Sequence, residues 1–188
     1  MAAGFGVFDP FWNGGTSYLP FLHLSAPTDD NGVSVLDQCL QKVYTVLETN
    51  TRESIDVGIS AMLSDDNWRP HLVAVVALLA LKPATDRTQL SQLWERLGKG
   101  SWVSPQIVVA LSHLDPEFEQ RAQKILSEKL FVPSGYRTME KEIASLRAIL
   151  NVEFNDTIQS NEGFYLTRRW SETLKKRIDE SVVKLGVY

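Results

Sequence analysis

Two stretches of this chain align on one another at a shift of 33 residues, residues 75–97 over residues 108–130, with nine of 23 positions identical. Val75-Val76-Ala77-Leu78 falls on Val108-Val109-Ala110-Leu111, and Leu81, Pro83, Leu93, Glu95 and Leu97 fall on Leu114, Pro116, Leu126, Glu128 and Leu130. Each copy reads as a helix, a proline-containing turn and a second helix. A hairpin of this size has no partner for its apolar face, so neighbouring hairpins must stack to make a core. A tryptophan stands just upstream of a proline in both copies, Trp68-Arg69-Pro70 and Trp102-Val103-Ser104-Pro105, with one residue inserted in the second.

The rest of the chain after Asn31 carries the same helical punctuation. Ser34 precedes Asp37 by three residues, as in a capping box, and Val35, Leu36, Cys39, Leu40, Val43, Val46 and Leu47 recur at the spacing of one helix face. Thr51 is the expected cap of a second helix carrying Ile55, Ile59, Met62 and Leu63, and Asp65-Asp66-Asn67 ends it and opens a third running to about Leu81. Thr85 is the expected start of a fourth, which stops near Gly98 and Gly100; Ser104-Pro105 and Asp115-Pro116 open two more. A seventh helix is expected over about Thr138 to Leu150. The last carries Leu166, Trp170, Leu174, Ile178, Val182 and Leu185 on a narrow stripe. No segment alternates apolar and polar residues between hairpin turns, so the class is all-α.

Residues 1–31 differ from this pattern. Gly4, Gly6, Gly14 and Gly15 alternate with Pro10, Pro20 and Pro27 among Phe5, Phe8, Phe11, Trp12, Tyr18 and Phe21. The expectation is an extended aromatic arm packed on the body, followed by one helical-repeat domain over residues 32–188. Leaving each large aromatic in water forgoes roughly 1.5–3 kcal/mol, which favours the packed arrangement.

Asp65-Asp66-Asn67-Trp68-Arg69-Pro70-His71-Leu72-Val73-Ala74-Val75-Val76-Ala77-Leu78 resembles the start of a HEAT-like repeat, in which an Asp, a Trp or similar apolar residue and then Val-Arg precede an Ala- and Leu-rich helix. The chain departs from that pattern at Pro70-His71 and, in the second copy, at Pro105-Gln106. The resemblance spans about residues 63–130 and implies a short, irregular, right-handed α-solenoid. It also implies a possible enzyme class, because HEAT-like alkylpurine DNA glycosylases line a concave face with Trp, Asp and Arg; here Asp65, Asp66, Trp68, Arg69, Trp94, Arg96 and Trp102 are the matching residue types.

Charge opposes a nucleic-acid partner. The chain carries a net −4, and residues 1–70 hold three basic side chains against nine acidic ones. Binding a phosphate backbone requires several Lys or Arg presented together, whereas an acidic surface speeds encounter with a basic protein. The mixed charges of the last helix, among them Arg168, Arg169, Lys175, Lys176, Glu172 and Asp179, read as a solvated face rather than a membrane-binding one. The longest apolar run, Leu72 to Leu81, is ten residues and too short to cross a bilayer.

Candidate chemistry is sparse. Cys39 lies on an apolar stripe, and His23, His71 and His113 form no metal-ligand spacing. His71, in the first turn of its helix near Asp65 and Asp66, reads as a structural hydrogen-bond donor standing in for the repeat's Arg. Gly98-Lys99-Gly100-Ser101 lacks the spacing and the preceding strand of a phosphate loop. The expectation is therefore a cytoplasmic, non-catalytic protein-binding module with no cofactor and no metal. Its partner is expected to be a basic protein, with no membrane or nucleic acid involved, and its contact residues Asp29, Asp30, Asp65, Asp66, Trp68, Arg69 and Trp102. An immunity-type inhibitor covering a basic bacterial toxin enzyme is the leading form. An adaptor or scaffold subunit and the HEAT-like DNA glycosylase are the alternatives.

Overall fold

The computed structural model describes residues 4–12, 18–24, 32, 34–81, 85–128, 130, 139–152 and 158–184, with side chains of the last helix described over 162–176. These residues form two 3-10 turns, Gly6–Phe11 and Leu19–Leu22, and the helices α1 (Val35–Thr49), α2 (Arg52–Ser64), α3 (Trp68–Leu81), α4 (Arg87–Lys99), α5 (Ser104–Leu114), α6 (Phe118–Glu128), α7 (Glu140–Leu150) and α8 (Ile158–Lys184). There is no strand among the described residues, so the class is all-α. No helix among them is long and apolar enough to cross a membrane.

Local chemistry sets the helix starts. The Ser34 hydroxyl accepts from the Asp37 N–H (3.3 Å) and the Thr51 hydroxyl from the Ser54 N–H (3.3 Å). α4 begins one residue later than Thr85 suggests, because Asp86 and Gln89 form a reciprocal capping box in which each side chain accepts the other's backbone N–H. Gly100 then ends α4 at φ +74°, a conformation that costs glycine little. Two cap expectations fail. Ser104 is the first residue of α5 rather than its cap, and its hydroxyl is used elsewhere. Asp115 accepts the Glu117 N–H (2.9 Å), but the helix opens only at Phe118. The expected start of the seventh helix, Thr138, lies outside the described residues.

Two central rods organise the core. α3 is buried continuously from Pro70 to Leu78 and α5 from Ser104 to Leu111, which is why these helices are apolar all round rather than on one face. α3 packs on α1, α2 and α5; α5 packs in addition on α4, α7 and α8. The outer helix α4 is amphipathic and is joined to α2 by Arg52 Nη2 donating to Gln89 Oε1 (3.2 Å) and Gln92 Nε2 donating to Ser60 Oγ (3.0 Å).

The described parts of residues 1–31 are not extended. Pro10 lies within the first 3-10 turn and Pro20 near the start of the second, where a φ fixed near −65° suits the tighter helix. Phe8, Phe11 and Phe21 are fully buried in the same core as the helices. Two long-range bonds hold the second turn in place: Gln106 Nε2 donates to the Leu22 carbonyl (3.0 Å) and the Trp170 indole N–H to the Phe21 carbonyl (3.0 Å).

Candidate functional site

The two turns that precede the central rods lie side by side, and buried side chains tie them together. Between α2 and α3, Asp65 Oδ1 accepts the Asn67 N–H (2.6 Å) and Asn67 Oδ1 accepts the Arg69 N–H (3.1 Å), so Trp68 and Arg69 open α3 in a fixed orientation. Between α4 and α5, Ser101 Oγ accepts the Val103 N–H (3.3 Å), while its own N–H donates to Ser104 Oγ (3.1 Å), which fixes Trp102 in the turn. The Ser104 hydroxyl also lies 2.6 Å from the Ser101 carbonyl and 2.7 Å from Glu142 Oε1, which attaches the turn to α7.

His71 is the bolt between the two turns. Its Nε2 lies 2.7 Å from the Asp65 carbonyl and its Nδ1 2.9 Å from Ser101 Oγ. A carbonyl can only accept, so Nε2 carries the proton and Nδ1 accepts from the Ser101 hydroxyl. Desolvation lowers its pKa to about 4, with the Arg96 charge acting in the same direction against the Asp65 carbonyl and the Asp65 and Asp66 carboxylates, so the ring is neutral at neutral pH. The expected structural donor role thus takes a specific form: the acceptor is a backbone carbonyl, not a carboxylate. Arg96 adds a second tie, donating from Nη1 to the Asp65 carbonyl (3.0 Å) and from Nη2 to the Gly100 carbonyl (3.2 Å).

These ties hold the Trp68 and Trp102 rings 4.7 Å apart at a tilt of 44°. The row continues inward, with Tyr18 edge-on to Trp68 at 6.0 Å, Trp12 against Tyr18 at 5.5 Å and Phe5 against Trp12 at 5.3 Å. It ends in solvent, because Trp102 is 53% exposed. A cation sits over each of the outer rings. The Arg69 guanidinium is 4.9 Å from the Trp68 centroid and donates through Nε to the Tyr18 hydroxyl (2.8 Å). The Lys141 ammonium is 5.1 Å from the Trp102 centroid and donates to the Trp102 carbonyl (2.9 Å). Such cation–ring contacts contribute roughly 0.5–1 kcal/mol each at exposed positions and restrict the rings' motion.

Of the residues singled out in the sequence, Trp68, Arg69 and Trp102 meet in this ridge, and Asp65 and exposed Asp66 flank it. Asp29 and Asp30 lie outside the described residues. Tyr18 and Lys141 belong to the ridge but carry no local signal, being 51 residues from Arg69 and 39 from Trp102 respectively. Trp94 is directed elsewhere: its indole N–H donates to Asp115 Oδ2 (2.7 Å) and its ring stacks on Phe118 at 5.8 Å.

Other concavities are chemically quieter. A cleft of about 1000 Å³ at the ends of α4, α5 and α6 contains Arg87, His113, Asp115, Glu117 and Arg121. Three of its charges are paired with one another, Arg121 lying 3.0 Å from Glu117 and 3.6 Å from Asp115, whose carboxylate also takes the Trp94 N–H. A groove of about 790 Å³ runs between the first 3-10 turn and α1 over Val7, Pro10, Phe11 and Val46. Cys39 is buried on α1, and desolvation raises its thiol pKa, the opposite of what a nucleophile needs. Among the described residues no group of His, Cys, Asp and Glu is placed to hold a metal ion. The ridge is therefore where the fold presents organised chemistry to solvent. No protein-family model, no curated protein and no solved structure matches this chain.

Proposed function

We propose that this chain is a protein-binding module, a short irregular solenoid of helical hairpins that docks a partner on the Trp68–Trp102 ridge. The single observation that carries this reading is the state of Trp102, which is 53% exposed yet held by Trp68, Lys141 and the His71-tied turn. A large aromatic pinned in solvent loses little conformational freedom when a partner covers it, and interface energy concentrates in Trp, Tyr and Arg anchors. The contacts of α3 with α1 and α5, and of α5 with α7, support the stacked-hairpin arrangement. The immunity-type form of the reading draws on Asp29, Asp30, Asp65 and Asp66. In the ridge, Asp66 is exposed while the Asp65 carboxylate is engaged by Asn67.

The test is site-specific cross-linking in the source cells. A photoreactive residue at position 102 is expected to capture a defined protein that the same probe at Val57, exposed on α2, does not capture. Equal capture from both positions, or none from 102, refutes the docking reading.

A further inference from the structure

Arg69 gives the ridge a chemical preference, and we infer that it reads a short protein segment in which an apolar side chain, seated on Trp68 and Trp102, is followed closely by a carboxylate. This inference rests on the docking reading and specifies its ligand. Arg69 is exposed, and its guanidinium is already oriented. Nε donates to the Tyr18 hydroxyl (2.8 Å), Nη1 donates to Asn67 Oδ1 (3.3 Å), and Cζ lies 4.9 Å from the Trp68 centroid. Its Nη2 has no partner among the described residues. With Nε and Nη1 both engaged, the guanidinium is held in place and keeps the Nη2 protons for a carboxylate, with little further entropy to lose on binding.

The surroundings favour one carboxylate over a polyanion. Asp65 and Asp66 lie in the turn between α2 and α3, four and three residues before Arg69, and the whole chain carries a net −4. A phosphate backbone laid across the ridge passes the exposed Asp66 carboxylate and gains only the two ridge cations, Arg69 and Lys141. One acidic side chain beside an apolar anchor pairs with Arg69 and brings no further negative charge against Asp66. The aromatic pair supplies the stacking surface that a Pro, Trp, Tyr, Phe or Leu side chain of the segment covers.

Selection from a random-peptide phage library on the full chain tests this. The expected result is a set of peptides pairing an apolar residue with a nearby Asp or Glu, all lost on Trp102→Ala. Replacing the acidic residue of a selected peptide by its amide, or Arg69 by Gln, is expected to weaken binding on the order of tenfold, while Arg69→Lys recovers part of it. Each variant is checked for wild-type helical circular dichroism and melting. Peptides that need Trp102 but show no acidic preference, or that bind Arg69→Gln equally well, overturn the carboxylate inference and leave the docking reading standing. Peptides indifferent to Trp102, or no selected peptides at all, overturn both. Tighter binding of a single-stranded oligonucleotide than of any selected peptide overturns the peptide preference in favour of base stacking.

Discussion

Acidification should loosen the ridge through His71. The ring is 1% exposed and serves as an acceptor at Nδ1, which it can do only while neutral. Its pKa of about 4 lies below the 6.5 of an unperturbed imidazole, so as the pH falls the unfolded chain takes up a proton before the folded one does. Stability from this group is complete above about pH 6.5, falls as the pH drops and is fully lost below about pH 4, by roughly 3 kcal/mol in all. Between pH 7 and pH 5 the loss is about 2 kcal/mol. The measurement is urea unfolding of the wild type and of His71→Gln, which keeps an amide donor for the Asp65 carbonyl and has nothing to titrate. The other titrating groups contribute to both proteins, so the difference between the two pH profiles isolates His71. The wild type should lose about 2 kcal/mol more than the variant over that range. In parallel, the exciton circular-dichroism signal of the closely spaced Trp68–Trp102 pair should weaken in the wild type before global unfolding. Profiles that run parallel across the range refute the assignment of His71 as a neutral bolt.

Four substitutions probe the packing that supports the site. A Cβ at Gly163 lies 2.6 Å from the Lys141 carbonyl oxygen and 3.1 Å from its Cα, so Gly163→Ala must push α8 off α7, costing about 1–3 kcal/mol in thermal or urea unfolding; an unchanged midpoint contradicts the close approach. A Cβ at Gly58 lies 2.7 Å from Phe8 Cδ2 and 2.9 Å from the Phe5 carbonyl oxygen, so Gly58→Ala should dislodge the first 3-10 turn and speed proteolysis near the N-terminus while the helical signal persists. Leu93 and Leu126 occupy matching repeat positions, but Leu93 is fully buried and Leu126 only partly, so Leu93→Ala should cost about 2–5 kcal/mol and Leu126→Ala clearly less; equal losses would contradict the burial difference.

The helices were largely legible because their signals are local. Ser34 and Thr51 cap where their spacing to Asp37 and Ser54 predicts, and the unbroken apolar runs of residues 72–78 and 107–111 mark α3 and α5 as rods covered on every side. The described parts of residues 1–31 depart from the extended expectation because Gly and Pro signal a break in α-helix without saying what replaces it; burial of Phe8, Phe11 and Phe21 selects 3-10 turns there. Half of the ridge was legible for a similar reason. Trp68, Arg69 and Trp102 stand at helix starts, where a side chain escapes the core, and so invite attention. Tyr18 and Lys141 arrive through tertiary packing, and nothing within a few residues of either announces it. The role of Ser101 was likewise hidden, since its value depends on an imidazole 30 residues away.

The repeat itself explains why one face of the molecule is ordered around tryptophans while the other is not. Identical sequence at matching positions does not give identical burial: Leu97 is fully buried, whereas Leu130, its counterpart 33 residues on, is 48% exposed. The reason is what lies beyond each hairpin. α4 is held between α2 and α5, so Leu93 and Leu97 of its apolar stripe are fully buried. α5 is covered by both α7 and α8, leaving α6 at the side, where among its described residues only Phe118 and Ala122 are buried. The two hairpins that align in sequence are therefore not buried alike on the α6 side. On the opposite end of the rods the same two copies remain in register, because His71 and Arg96 tie their starting turns directly. That asymmetry is what brings Trp68 and Trp102 together. The two equivalent tryptophans face one another only because the polar bolt, rather than the apolar seam, sets the spacing of the turns, and disrupting it should separate the pair while the helices stay packed.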